Sequence, residues 1–278
     1  SLQPPFGEIY WQLLEQPRHG ITPKVYPLTS DSGHFFDIVG WYAEQTVKAK
    51  YRIGELINPV VEKYGTSGPI DIQWNIQPFE LLGLASVQDL AIKAMTEPQE
   101  YRKVCDLIAE VNISLIQEVF KAGADFVFLG GPGSEMLSPK LYEDFLVPDS
   151  KKITSAVHQA GGLVYTHICS PIEPFLSSGF YNQMGIDLFE TLSPPPVGNV
   201  EDLKTARQIC SQDMCTRGNI GLDLLLNGSE KEIEQAVVEV IEATKGTKHI
   251  IAASDYLFYD IPVENVKHAI KTAYSCIY

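Results

Sequence analysis

The stretch Gly161-Gly162-Leu163-Val164-Tyr165-Thr166-His167-Ile168-Cys169-Ser170-Pro171 is the starting point for interpreting this chain. Its apolar part predicts a short strand, and Ser170-Pro171 predicts that a helix begins directly afterwards. Residues i and i+2 of an extended strand point to the same side, so His167 and Cys169 should project together. An imidazole and a thiol are two of the ligands that zinc binds in proteins. The stretch therefore predicts a β-α unit with half of a metal site at the C-terminal end of its strand.

The same alternation of strand and helix recurs along the chain from Gly68 onward. The predicted strand Asp125–Leu129 is apolar at every position after Asp125, as a parallel strand that is covered on both faces requires. Further strands are predicted at 69–74, 163–167, 187–190, 214–220 and 249–253, and helices at 79–84, 85–95, 98–123, 138–159, 200–209, 229–244 and from 262. At least six alternations indicate a parallel sheet with helical crossovers. An open doubly wound sheet and a closed (β/α)8 TIM barrel both fit this pattern. The number of units and the missing Gly-x-Gly-x-x-Gly after the first strand favour the barrel.

The first part of the chain is less regular than the rest. Residues 1–65 predict a helix that starts at Trp11–Leu14, a short strand at Lys24–Leu28 and a helical segment at Phe35–Ile57. We therefore predict one barrel domain over residues 1–278, with an irregular part at 1–65 and regular β/α units at 66–278.

Composition limits the classes of function. The chain has 278 residues, a formal net charge of −14 and 45% hydrophobic residues. This size suits one large α/β domain. The negative charge argues against nucleic acid, because lysine and arginine contacts to phosphate dominate that kind of binding. The sequence has no apolar run of about 18 residues, so no membrane span is predicted. Five irregularly spaced cysteines and the absence of a secretory signal at residues 1–5 indicate a reduced, cytoplasmic enzyme.

Polar residues gather where the predicted strands end, which is where the active site of such a barrel lies. These residues are Gly130–Ser134, His167 with Cys169, Glu190, Arg217 with Asn219, and Ser254 with Asp255. Asp255 is a candidate third ligand for a metal, since zinc accepts carboxylate oxygen. Glu190, Arg217 and Asn219 are candidates for the substrate pocket.

Each of these residues also has a purely structural interpretation. His167 could be a buried histidine beside an inert cysteine, since cysteine is often buried. Asp255 could be an acidic residue that precedes a helix. Glu190 and Asn219 could bond to one another, and Gly130–Gly133 could be a tight turn rather than an anion site. Other residues are assigned to structure alone: Glu173 to a capping box with Ser170, Cys105 to the core, and Cys210 and Cys215 to packing.

Several segments, taken in order, resemble the uroporphyrinogen decarboxylase superfamily, which also contains zinc-dependent corrinoid methyltransferases. They lie between Gly68 and Tyr278: Lys121–Asp125, Leu137–Pro139, Tyr142–Pro148, Gly161–Cys169, Pro194–Val200, Arg217–Ile220 and Pro262–Val266. The resemblance implies a (β/α)8 barrel. Compared with the family, the N-terminal part of this chain is shortened or rebuilt.

Within that superfamily the His-x-Cys at His167 and Cys169 resembles the methyltransferase branch. There, the pair binds zinc together with a cysteine at the end of the last strand. That cysteine falls at Asp255 here, so either Asp255 replaces it as an oxygen ligand or the metal site is weakened or lost. The resemblance implies transfer of a methyl group between a corrinoid protein and a small molecule, with zinc and a partner-bound corrinoid as cofactors.

Two other functions are compatible with the same barrel. One is decarboxylation of a porphyrinogen, but the arginine-rich N-terminal motif of the decarboxylases is absent, and so is the histidine of their C-terminal segment. The chain has five arginines, whereas a substrate with many carboxylates favours several fixed cations. The other is a barrel without catalysis that serves as a binding partner, for example of a corrinoid protein.

Overall fold

The computed structural model describes residues 12–13, 24–25, 28–29, 31–73, 84–130 and 136–276; of residues 12, 13, 24 and 25 it describes the backbone alone. The strands are β1 Gln12–Leu13, β2 Lys24–Val25, β3 Asp71–Ile72, β4 Phe126–Phe128, β5 Leu163–His167, β6 Leu188–Glu190, β7 Cys215–Ile220 and β8 His249–Ala253. The helices are α1 Phe35–Ala49, α2 Ile53–Tyr64, α3 Val87–Thr96, α4 Pro98–Lys121, α5 Pro139–Leu141, α6 Val147–Gln159, α7 Glu173–Ser177, α8 Phe180–Met184, α9 Leu203–Ile209, α10 Leu222–Asn227, α11 Glu230–Thr244 and α12 Val263–Ser275.

The predicted parallel α/β architecture is confirmed. Strands β3 to β8 are parallel and follow one another in chain order, with helices between them, whereas β1 pairs with β2 antiparallel. Neighbouring parallel strands need a long crossover connection, and the helices between the strands provide it here. An isolated parallel bridge also joins Leu28 to Ala85.

The described backbone divides into two compact units. The first comprises Ser1–Pro132 and Met136–Leu163, and the second comprises Gly133–Glu135 and Val164–Tyr278. The prediction of a single domain over residues 1–278 stays a prediction.

The core of the first unit is organised around α4. Pro98 lies in the first turn of this helix, where its missing N–H costs no hydrogen bond. One face of the helix is buried against α1, α2, α3 and α6, and includes Tyr101, Cys105, Ile108 and Leu115. Cys105 is therefore a core residue, as predicted, and burial raises its pKa far above the ordinary value.

In the second unit, β6 pairs with β5 and β7, and β7 pairs with β8. Asp187 precedes β6, and its carboxylate accepts a hydrogen bond of 2.8 Å from the backbone N–H of Val164. Asp125 has the same role in the first unit, where it accepts from Ile70 over 2.7 Å. In both places an acidic residue before a strand satisfies a backbone donor of the neighbouring chain segment.

Three local predictions need correction. Gln12–Leu13 form a strand rather than the start of a helix, because they pair with Lys24–Val25. The capping box at Ser170 is absent: the side chain of Asn199 accepts from the N–H groups of Ile172 and Glu173 and takes that role. The helix predicted at 138–159 is not one regular α-helix: a π-helical turn at Tyr142–Leu146 separates α5 from α6, and Pro148 lies in the first turn of α6.

Other local predictions are confirmed or fall outside the described residues. Ser229 and Glu232 form the capping box of α11, and the Ser138 side chain caps α5. Trp11, the predicted helix at 79–83 and the loop residues 131–134 lie outside the described ranges. All five cysteines lie inside them, and none forms a disulfide. Within the same ranges, no helix has the length and apolar character needed to cross a bilayer.

His249 at the start of β8 is held as a neutral imidazole. Its Nε2 lies 2.8 Å from the carbonyl oxygen of Gly218, which can only accept, so Nε2 carries the proton. Its Nδ1 then accepts from the hydroxyl of Thr216 at 2.8 Å. Burial lowers the pKa of His249 and outweighs the hydrogen bond to Gly218.

This environment predicts a loss of stability on acidification. The unfolded chain takes up the proton more readily than the native one, so the free energy of unfolding should fall as pH drops below about 6.5. A single group contributes at most about 1.4 kcal/mol per pH unit. In urea titrations between pH 5 and 7.5, His249→Gln should show a shallower slope than the wild type. Gln can still donate to Gly218 but does not titrate. Equal slopes for the two proteins would contradict this prediction.

Candidate metal centre

Three polar side chains lie side by side across neighbouring strands of the second unit. His167 is directly opposite Glu190, and Glu190 is directly opposite Arg217. Directly opposite residues on adjacent strands point to the same face, so their side chains meet. His167 and Glu190 are the last residues of β5 and β6, which places this row at the C-terminal ends of those strands.

The structure brings together the three predicted metal ligands. One ligand atom each from His167, Cys169 and Asp255 lies within 4.8 Å of the other two. Cys169 follows β5 by two residues, and Asp255 follows β8 by two residues. The side chains of His167 and Asp255 are 12% and 18% exposed, so the cluster is sheltered but remains in contact with solvent.

The Nε2 atom of His167 is the least satisfied atom of this cluster. It lies 3.3 Å from Oδ1 of Asp255. That contact does not have hydrogen-bond geometry, and Nε2 is buried without a hydrogen-bond partner among the described residues. A buried polar nitrogen without a partner is costly in a native structure. A cation bound between Nε2, the Cys169 thiol and the Asp255 carboxylate would remove this cost.

Glu190 links the cluster to a fixed positive charge. Its Oε1 lies 2.9 Å from Nδ1 of His167, and its Oε2 forms an ion pair with Arg217. Burial raises the pKa of Glu190, but the hydrogen bonds from His167 and Arg217 together outweigh it. The pKa of Glu190 is therefore below its ordinary value, and the carboxylate is charged.

Asn219 is bonded to the protein rather than directed at an open pocket. It is 9% exposed, and its amide donates to the carbonyl oxygen of Leu192 over 2.9 Å. The preceding Gly218 has φ +134°, and a Cβ there would lie 2.3 Å from the carbonyl oxygen of Thr191. Only glycine fits this close approach. The role of Asn219 in substrate binding stays a prediction, and its observed contact is structural.

One neighbour of the cluster was not predicted as a site residue. The ring of Tyr256 lies 5.2 Å from the imidazole of His167, and the Tyr256 backbone N–H donates to Oδ1 of Asp255. Its signal in the sequence is weak, because it consists only of adjacency to Asp255. Ser254, which the sequence placed with Asp255 at the end of the last strand, has a buried hydroxyl without a hydrogen-bond partner among the described residues.

Parallel strands that alternate with helices, and a polar cluster at the strand ends, are features of the (β/α)8 TIM class of enzymes. The sequence profile of the uroporphyrinogen decarboxylase (URO-D) family matches residues 81–276. The chain belongs to this family.

Curated relatives carry the name of that enzyme. Uroporphyrinogen decarboxylase of Prochlorococcus marinus (strain NATL1A) is 24% identical over 219 residues, which cover 77% of this chain and 59% of the relative. The protein of the same name from Novosphingobium aromaticivorans is 25% identical over 71% of this chain and 57% of the relative. The chain thus spans less than two thirds of the length of these relatives.

Solved structures support the fold. A methyltransferase from Methanosarcina mazei superposes with a TM-score of 0.64 at 21% identity, over 80% of this chain and 63% of the other. A B12-independent methionine synthase from Shewanella sp. W3-18-1 gives a TM-score of 0.50 at 11% identity, over 96% of this chain and 74% of the other. These superpositions confirm the predicted (β/α)8 fold, and the family match confirms the predicted superfamily.

Proposed function

We propose that this chain is a methyltransferase that transfers a methyl group between a corrinoid protein and a small molecule, with zinc held by His167, Cys169 and Asp255. The observation that carries the proposal is the convergence of these three donors from two strand ends within 4.8 Å. The unsatisfied Nε2 of His167 supports it, because metal coordination would give that atom a partner. The same convergence favours an active barrel over one that serves only as a binding partner.

The chemistry of the donor set fits zinc. Zinc binds imidazole nitrogen, thiolate sulfur and carboxylate oxygen, and catalytic sites have three protein ligands and leave one position open. A bound zinc ion would lower the pKa of a substrate thiol and so supply a thiolate nucleophile for the methyl group. Asp255 is the residue that departs from the family pattern, and in this proposal its carboxylate replaces the usual cysteine.

The described arginines support methyl transfer over decarboxylation. A porphyrinogen with many carboxylates favours several free guanidinium groups, but each arginine that the structure describes already has protein partners. Arg217 pairs with Glu190, and the buried Arg207 donates to backbone carbonyls. The remaining two form the pairs Arg52–Glu55 and Arg102–Asp149. Of these arginines, Arg217 is the one that reaches the candidate centre, and Glu190 already neutralises its charge.

The test uses methylcobalamin as methyl donor and 2-mercaptoethanol as acceptor. The wild-type protein loaded with zinc should accelerate the loss of methylcobalamin and form the methyl thioether, followed by absorbance and mass spectrometry. Cys169→Ser should abolish the acceleration, because the hydroxyl is a poor zinc ligand. Cys276→Ser is the matched control, since Cys276 directly follows α12 and is not in the cluster. Equal rates with and without the wild-type protein would contradict the proposal.

A second candidate is a metal-independent decarboxylase of the uroporphyrinogen decarboxylase type. The names of the curated relatives favour it. Incubation with uroporphyrinogen and analysis for coproporphyrinogen separates the two functions. We expect no product. Product formation by a metal-free preparation would establish the second candidate instead.

In either case we place the chain in the cytoplasm with a small-molecule substrate, consistent with five cysteines that form no disulfide.

A further inference from the structure

We propose that Glu190 and Arg217 are positioning residues for the metal. Glu190 fixes the proton of His167 on Nδ1 and thereby presents the Nε2 lone pair to the ion, and Arg217 holds Glu190 in place. The inference rests on the proposed function, since it concerns the same centre. It replaces the earlier interpretation of these two residues as groups that contact the substrate.

The first support is the strand register. His167, Glu190 and Arg217 occupy directly opposite positions on β5, β6 and β7, so the backbone of the sheet sets their spacing. Each oxygen of Glu190 has its own partner: Oε1 meets Nδ1 of His167 at 2.9 Å, and Oε2 meets the guanidinium of Arg217. A carboxylate bonded on both oxygens cannot rotate without losing one of these contacts.

The second support is the state of the imidazole. A charged carboxylate can only accept, so the atom that faces it must carry a proton, and that atom is Nδ1. In a neutral imidazole the other nitrogen, Nε2, then has the lone pair that a metal needs. Nε2 is the buried atom without a hydrogen-bond partner among the described residues, and it lies 3.3 Å from Oδ1 of Asp255. The tautomer enforced by Glu190 is thus the one that can bind a cation at this cluster.

The effect of an outer hydrogen-bond partner on the metal affinity of a histidine ligand has a typical size. Removing the outer partner of a metal-bound histidine lowers metal affinity by about 10- to 100-fold. Arg217 acts one step further away, and 43% of its side chain is exposed, so solvent can partly replace it. Its removal should therefore have a smaller effect than removal of the charge of Glu190.

The experiment measures Co²⁺ and Zn²⁺ affinity of the metal-free full chain, with the wild type, Glu190→Gln and Arg217→Gln compared. Glu173→Gln is the matched control, because Glu173 is an exposed carboxylate of the same unit that is not in the cluster. We expect a loss of about 10- to 100-fold for Glu190→Gln and a loss of less than about 10-fold for Arg217→Gln. The control should bind as the wild type does. Melting of each metal-free variant at the wild-type temperature shows that the fold is intact.

A second readout needs no metal. The ¹⁵N chemical shifts of the His167 imidazole, assigned by their loss in His167→Ala, report which nitrogen carries the proton. The wild type should show the Nδ1–H tautomer, and Glu190→Gln should show a mixture of both. An Nε2–H tautomer in the wild type overturns the inference. This outcome does not depend on whether the Glu190→Gln variant folds.

The outcomes separate the two proposals. If the wild type binds metal and Glu190→Gln binds it equally well, the positioning role is wrong and the metal centre stands. If the wild type binds neither ion, the metal centre itself falls and the positioning role falls with it. A changed visible absorption of the Co²⁺-saturated Glu190→Gln would make Glu190 a ligand, which also overturns the positioning role.

Discussion

His167→Ala should remove nearly all zinc from protein purified without added metal, whereas the wild type should retain close to one ion per chain. The imidazole supplies one of three donors, and its loss leaves a thiol and a carboxylate from separate strand ends. Losing an outer partner of a zinc ligand already costs about 10- to 100-fold in affinity, so loss of the ligand itself should cost at least about 100-fold. Elemental analysis and competition with a chromogenic chelator measure both quantities.

His158→Ala is the control for this experiment. His158 is exposed near the end of α6, so its removal should leave the metal content unchanged. Asp255→Asn should give an intermediate result, since the amide oxygen remains but the charge is lost. Less than stoichiometric zinc in the wild type, with no further change in His167→Ala, would instead favour the structural interpretation of His167.

Arg102→Ala should destabilise the first unit by about 3 kcal/mol. The carboxylate of Asp149 is fully buried, and it forms an ion pair with Arg102. Burial raises the pKa of Asp149, although Arg102 and Lys152 oppose that rise. Without the guanidinium, the carboxylate keeps only Lys152, at 3.4 Å. Removal of one partner from a buried pair costs about 3–5 kcal/mol, and the remaining lysine places the expected value at the lower end.

Denaturant unfolding of Arg102→Ala and Lys103→Ala, followed by circular dichroism, tests this expectation. Lys103 is the neighbouring residue and pairs with Glu100 on the surface, where its side chain is 72% exposed. Such a pair contributes about 0–1 kcal/mol, so the control should be almost as stable as the wild type. Equal losses in the two variants would show that the buried pair has no special role.

The two predictions concern different kinds of charge. Asp149 is part of an ion-pair network, because its carboxylate pairs with Arg102 and Lys152. At His167, an imidazole, a thiol and a carboxylate converge, and Nε2 of the imidazole has no hydrogen-bond partner among the described residues. The convergence of three potential metal ligands distinguishes this centre from the ion pair at Asp149.

Local patterns in the sequence were sufficient for much of the architecture. The apolar run Phe126–Leu129 indicates a strand, because a parallel strand is covered on both faces. Ser229 with Glu232 marks the start of α11 because a cap needs only neighbours in the chain. The same reasoning was wrong at Ser170, where Asn199, distant in the chain, satisfies the helix start instead.

The strand-helix alternation, the core position of Cys105 and the shared direction of His167 and Cys169 can be predicted from the sequence, because each depends on residues a few positions apart. Which distant side chains meet depends on the tertiary fold. It placed Asp255 beside His167, bonded Glu190 to both His167 and Arg217, and turned Asn219 toward the Leu192 carbonyl. These contacts depend on the register between strands that are 20 or more residues apart in the chain, and backbone pairing across the sheet sets that register.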